Sequence, residues 1–319
     1  MIAEIAALDF AVPPAVQTAE QLAPLIGRSP EWIETNAGVS KRHCCHGYQD
    51  DPAKFVAELA KPIIDEHGKP DLVLHAGAMT RQLIPDTSVF VARELGLKAV
   101  PAFTVNATCL SALAAMQTAN ALIATEQYHR VLICVSEFGT PGRNFKEPES
   151  AALIGDAAAV ILLQASQRDA GLQHYAMATW PEGAELAEVR GGGVHCPPHV
   201  ASAADNLFHM QGENLLRFVL PRLVKFLKQF CSDAGISLDE LDLVVPHQAS
   251  AAGLKILERL GIPDDKTVKI IADYGNCGAA SIPMALSIAE QQSRIRSGDQ
   301  ILLLGTAAGV SIGAALLKW

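Results

Sequence analysis

Aromatic side chains are scarce in this sequence, at 5% of residues, and charged ones reach only 18%. Ring stacking therefore cannot dominate the core. A hydrophobic fraction of one half, with many alanines and 24 glycines, suits close approach of helices to helices and sheets instead. An excess of basic charge is missing too. The formal net charge of −9 excludes a general nucleic-acid-binding face, because phosphate contacts need a basic one. No apolar run of about 18 residues is free of charges and breakers, so no membrane span is expected. The opening MIAEIAALDFAV carries Glu4 and Asp9 without a basic leader, and reads as a first strand rather than a secretion signal. Seven cysteines, odd in number and irregular in spacing, offer no disulfide framework; they fit reduced thiols in a cytoplasmic protein. There is no GxGxxG fingerprint, and GGGV at 191–194 neither follows a strong strand nor opens a helix, which excludes a dinucleotide fold. HCCH (43–46) and HCPPH (195–199) lack the paired spacing of structural zinc ligands, so no metal is expected.

What the chain does have is an internal echo. PDLVLHAGAMT…VARELGL (70–97) and LDLVVPHQAS…LERLGI (241–262) each place a short β-branched run before a polar turn and a helical segment. VNATCLSALAAMQTANALI (105–123) pairs with DYGNCGAASIPMALSIAE (273–290), and RVLICVSE with DQILLLGT. ALIGDAAAVILL and AAGVSIGAALLKW close the two series with a glycine turn and an apolar strand. The same order twice predicts a duplicated α/β fold with helices sandwiched between two sheets. The halves should meet near the polar stretch QASQRDAG, giving 1–168 and 169–319, and the stretch from about 173 to 206 reads as irregular.

Ligands of such sheets gather at the C-terminal ends of strands, where loops lead into helices. Cys109, His247 and Asn276 all fall at such turns, and the duplication puts Cys109 and Asn276 at equivalent points. A cysteine at a helix start is expected to have a depressed pKa, and the thiolate is the form that attacks a thioester. The N–H groups there can receive an oxyanion. A histidine and an asparagine amide can hydrogen-bond a thioester carbonyl or enolate. Cys277, beside Asn276, reads as a packing residue.

These strings, with SPEWIETNAGVSKR (29–42), PDTSVFVARELGL (85–97), TCLSALAAM (108–116), VPHQAS (245–250) and YGNCGAAS (274–281), resemble the β-ketoacyl-acyl-carrier-protein synthase III family of the thiolase superfamily over nearly the whole chain. The resemblance implies a thiolase-like fold, in which duplicated βαβαβ halves form a layered α-β-α-β-α sandwich. It implies a Cys-His-Asn triad of Cys109, His247 and Asn276, with an oxyanion hole from the backbone N–H groups of Cys109 and Gly309. It also implies a homodimer whose segment near Ile84 reaches into the partner's acyl pocket. Trp32 matches the residue that stacks on the coenzyme A adenine, and Arg217 and Ser250 fall where the substrate arm is bound. Substrates are then coenzyme A or phosphopantetheine thioesters, the partner an acyl carrier protein, and no cofactor is required.

Departures are confined to carrier recognition. Asn36 stands where the family usually has arginine, Glu213 where asparagine is common, and HQASAA (Ser250, Ala252) replaces HQANxR. A specialised relative of the housekeeping enzyme is expected. Its reaction would form acyl-Cys109 and then condense it with a malonyl-type thioester by decarboxylation. One alternative passes the acyl group to an alcohol or amine without decarboxylation; a non-catalytic condensing-enzyme partner subunit is another. A degradative thiolase is disfavoured, because the C-terminal loop GTAAG lacks a second cysteine.

Overall fold

A computed structural model describes residues 2–319 as two main sheets, with helices between and outside them, and two small two-stranded sheets. The first sheet contains β1 (Ala3–Ala11), β2 (Leu72–Ala76), β3 (Ala102–Val105), β4 (Arg130–Glu137) and β5 (Ala157–Ala165), in the order β1-β5-β4-β2-β3. The second contains β6 (Gly171–Thr179), β7 (Leu243–Pro246), β8 (Gln300–Ala307) and β9 (Ser311–Lys318), in the order β7-β8-β9-β6. Sense matches strand for strand. In both sheets the outermost antiparallel strand is followed by a second antiparallel pairing and then a parallel one. The counterpart of β3 has shrunk to one parallel bridge, Val244 with Thr267.

The helices that pack on these sheets include α1 (Pro52–His67), α2 (Thr87–Glu94), α3 (Ser111–Ala124), α4 (Gly212–Ala234), α5 (Ala251–Arg259) and α6 (Ser281–Gln291). α3 and α6 form the middle layer. Every residue of α6 from Ser281 to Ala289 is buried, which a helix tolerates only when apolar or small on all sides. Val56, Ala60 and Ile63 of α1 and Val91 of α2 cover the outer face of the first sheet. Val219, Leu223 and Phe226 of α4, with Leu254 and Leu257 of α5, cover that of the second. The chain is therefore the expected α-β-α-β-α sandwich.

One expectation fails. The stretch from 173 onward is not irregular at its start: residues 171–179 form β6, paired along its length with β9. Its sequence GLQHYAMAT has little β-branching, so the strand owes its existence to the partner edge rather than to local preference.

Candidate active site

Cys109 sits in a tight turn between β3 and α3. Ser111 at the start of α3 ties the turn: its Oγ accepts the N–H of Ala107 at 2.9 Å and donates to the carbonyl of Thr108 at 2.6 Å. Thr108 is held at φ +51°, a left-handed conformation that a β-branched residue seldom adopts. Its hydroxyl also lies 3.3 Å from the carbonyl of Ala308, in the loop between β8 and β9. The backbone N–H of Ala308 favours the ionised form of the Cys109 sulfur. Gly309, expected to line the oxyanion hole, is the next residue, at φ +80°.

The expected depression of the thiol pKa is not found. Although Cys109 is only half-buried overall, burial pushes its thiol up to about 12, and the charge of Glu137 adds to the rise. The N–H groups of Ala308 and Cys109 oppose this without cancelling it. The expectation from a helix start rested on the dipole and unpaired backbone N–H groups, without desolvation. α3 begins two residues later, and desolvation outweighs the dipole.

His247 follows β7, and its N–H donates to Leu304 of β8 at 2.7 Å. Its Nδ1 is buried without a protein partner, and burial lowers the imidazole to about 4, so it is neutral near pH 7. The next residue is the anchor. Buried Gln248 accepts the N–H groups of Ile270 and Ile271 on Oε1, and donates from Nε2 to Pro246 and Val268.

Asn276 donates from Nδ2 to the carbonyl of Ala249 at 3.3 Å and accepts the N–H of Gly278 on Oδ1 at 3.0 Å. Its own backbone is pinned to the first half, with N–H to Leu153 at 2.7 Å and carbonyl from Gly155 at 3.0 Å. That approach needs glycine: a Cβ at Gly155 would lie 2.1 Å from the carbonyl oxygen of Tyr274. The three turns are thus joined. Asn276 is bonded to the His247 loop, and Leu110 and His247 pack on the same glycine of β8, 2.8 and 3.1 Å from where a Gly305 Cβ would sit.

A cavity of about 410 Å³ leads to His247 but is lined by neither Cys109 nor Asn276. Its wall is largely leucine from α4 and α5, with Trp32, Asn36, Glu149, Glu213 and Ser250. Among the described residues lining it there is no lysine or arginine. Trp32 carries the Arg28 guanidinium 5.2 Å from its ring centroid. Arg217 does not line the cavity; it pairs with Glu213 on a largely exposed surface, where such pairs are weak. Ser250 lines the wall and also caps α5, accepting the N–H of Gly253 at 3.1 Å. Ile84 is 86% exposed and lies away from this cavity. The HCCH residues have other occupations: His43 bonds Pro13 and stacks on Tyr274, while Cys45 donates its N–H to Asp156. Cys277 is fully buried against the Tyr274 carbonyl. Glu137, Gln248, Thr108 and Arg28 escaped the sequence reading. Only Glu137 left a signal, as a lone carboxylate closing the apolar strand RVLICVSE.

Residues 103–181 match the family model described as 3-oxoacyl-[acyl-carrier-protein (ACP)] synthase III, and residues 231–319 match that of its C-terminal part. A β-ketoacyl-[acyl-carrier-protein] synthase III 2 of Vibrio vulnificus (strain YJ016) is 30% identical over 99% of this chain and 88% of its own length. The chain belongs to the β-ketoacyl-acyl-carrier-protein synthase III family. As a member of that family it is an acyltransferase of the condensing-enzyme type with a thiolase-like fold. The crystal structure of 3-oxoacyl-(acyl carrier protein) synthase III, FabH, from Pseudomonas aeruginosa PAO1 superposes on this chain with a TM-score of 0.90 at 25% identity, covering 100% of this chain and 98% of that one. OleA from Xanthomonas campestris shares the fold, with a TM-score of 0.87 at 19% identity, covering 100% and 99% of the two chains. No helix among the described residues is long and apolar enough to cross a membrane.

Proposed function

We propose that Cys109 is the acyl-accepting nucleophile, and that His247 and Asn276 stabilise the enolate of a malonyl-type thioester as carbon dioxide leaves. The observation that carries this reading is the junction of three strand-end turns, in which Cys109 and Asn276 come from equivalent points of two duplicated halves and Asn276 is bonded to the His247 loop. A neutral imidazole and a neutral amide suit the second step, since an enolate needs hydrogen-bond donors that do not quench the carbanion. In the first step the Cys109 sulfur attacks the thioester carbonyl and the donor thiol leaves with the proton. In the second, the carbon–carboxylate bond breaks, the new carbanion attacks acyl-Cys109, and a 3-oxoacyl thioester is released. The N–H groups of Cys109 and Gly309 would receive the oxyanion. No metal or redox group takes part in these steps.

Donor and acceptor would be coenzyme A or phosphopantetheine thioesters, delivered in the second case by an acyl carrier protein, and the enzyme would work in the cytoplasm. Trp32 and Ser250 would meet the substrate in the cavity wall, Trp32 as a flat face for a base, and Arg217 beside Glu213 would supply a basic group. The halves would be 1–168, carrying Cys109, and 169–319, carrying His247 and Asn276. A homodimer is favoured by the free edge of β3 and the exposed Leu83 and Ile84 beside it.

A second reading keeps acyl-Cys109 but passes the group to an alcohol or amine. The cavity favours it at one point: Glu149 and Glu213 with no lining cation suit an uncharged or cationic acceptor better than a phosphate. Intact-protein mass spectrometry with a panel of acyl-coenzyme A thioesters tests the shared step. Acyl mass should appear on the wild type and vanish in Cys109→Ala; a label that survives sinks both readings. Carbon dioxide release from malonyl-coenzyme A selects the first reading, and transfer to an alcohol or amine without it selects the second.

A further inference from the structure

Glu137 closes β4 as a carboxylate only 4% exposed and makes no salt bridge among the described residues. Backbone N–H groups hold it instead. Its Oε1 accepts the N–H of Ala78 at 2.8 Å, and the backbone of Met79 and Ala279 adds to the stabilisation of the ionised carboxylate. The cradle is made by glycines from both halves. A Cβ at Gly77 would lie 2.8 Å from Oε1, and one at Gly278 would lie 3.1 to 3.2 Å from the Glu137 side chain. Gly278 is also the residue whose N–H donates to the side chain of Asn276. The titratable groups that feel Glu137, or act on it, include Cys109, Cys277 and Asp156.

We propose that Glu137 is a positioning residue of the acyl-transfer site, clamping the 276–279 turn of one half to the 77–79 turn of the other while presenting its charge to the Cys109 sulfur. Asn276 is then held by a carboxylate it does not touch, through Gly278. The same carboxylate disfavours a bare thiolate in the empty site. This rests on Cys109 being the acyl acceptor. Burial raises the Glu137 carboxyl to about 7, so its charge appears within the working range.

The test is the pH dependence of Cys109 alkylation by iodoacetamide in the full chain, read by intact mass with Cys109→Ala as the blank. In the wild type, log rate should rise with pH, flatten near pH 7 as Glu137 ionises and opposes the thiolate, then rise again. Glu137→Gln should remove the flattening and speed alkylation about tenfold above that range. The same variant should lose about tenfold or more in malonyl-coenzyme A decarboxylation, the step assigned to Asn276, with Cys109 acylation less affected. Glu137→Asp, which keeps the charge, should keep the flattening. A wild-type profile of uniform slope between about pH 6 and 9 overturns the proposal even if Glu137→Gln does not fold. Overlapping profiles for wild type and variant overturn it as well. Failure of the underlying acyl-cysteine reading would show separately, as acyl label retained in Cys109→Ala.

Discussion

His75 and His247 are both buried, and burial lowers each imidazole to about 4. Their neighbours separate them. His75 lies between two hydroxyls, Thr104 Oγ1 at 3.1 Å and Ser136 Oγ at 3.0 Å, and Thr104 passes its proton bond on to Asp86. Both of its nitrogens are satisfied by the protein, so it is a structural group. His247 leaves Nδ1 unpartnered beside a cavity, as a group that meets substrate would. The consequence for His75 is a stability effect with a definite sign. Its folded pKa is depressed below 6.5, so as pH falls from 6.5 towards 4 the unfolded chain takes up the proton first. The stability associated with a neutral His75 is full above 6.5 and is lost through that window. His75→Gln, which removes the titrating group, should therefore lose about 2 kcal/mol less than wild type between pH 7 and 5 in urea unfolding. Equal losses in the two proteins would contradict this.

At the scale of the element, Ser250 shows how one position can carry two meanings. As part of HQAS it reads as a substrate contact; in the fold its Oγ caps α5 while the residue lines the cavity. Ser250→Ala should cost about 1 kcal/mol of unfolding free energy, whereas Ser250→Asn should be near neutral because asparagine caps as well. If the role is capping, KM for the thioester should move little in Ser250→Asn. A rise in KM with unchanged stability would instead make it a substrate contact. The elements that were legible in the sequence were those specified locally. Continuous apolar runs such as LVLH and RVLICVSE announced buried strands, and the paired small-residue segments announced α3 and α6 of the middle layer. The turns at Cys109, His247 and Asn276 were legible because each follows such a signal. What was hidden depends on assembly. β6 exists by pairing with β9, and the Glu137 cradle needs glycines 77 and 278 brought together from opposite halves. The Cys109 pKa went the wrong way for the same reason: a helix dipole can be read from order along the chain, but desolvation is set by layers that meet only in the folded molecule.

Across the whole molecule the duplication is incomplete, and the defect points to an interface. In the second half the edge strand β7 is sheltered by the bridge to Thr267, but no further strand among the described residues pairs with β3. Around that edge Phe103 is 42% exposed, Val89 47%, Leu83 71% and Ile84 86%. An unpaired strand edge flanked by large apolar side chains is a pairing surface unless it is blunted, and β3 carries no charge to blunt it. Burial of each such side chain would contribute about 1.5–3 kcal/mol, enough in pairs across a twofold axis to hold two copies together. The Asp86–Thr104–His75 chain ties this edge to the loop bearing Ile84, so the strand and the loop would meet a second copy as one rigid surface. The proposed homodimer then gives a sharp expectation for Phe103→Asp, which places a carboxylate on the edge. Light scattering should find wild type near twice the 33.8 kDa of the chain and the variant near one copy. Acylation of Cys109 by long-chain donors should fall with the loss of the partner's Ile84 segment, while short-chain donors, which need less of the acyl pocket, should suffer less. A monomeric wild type, or a dimer indifferent to the charge, would place the interface elsewhere.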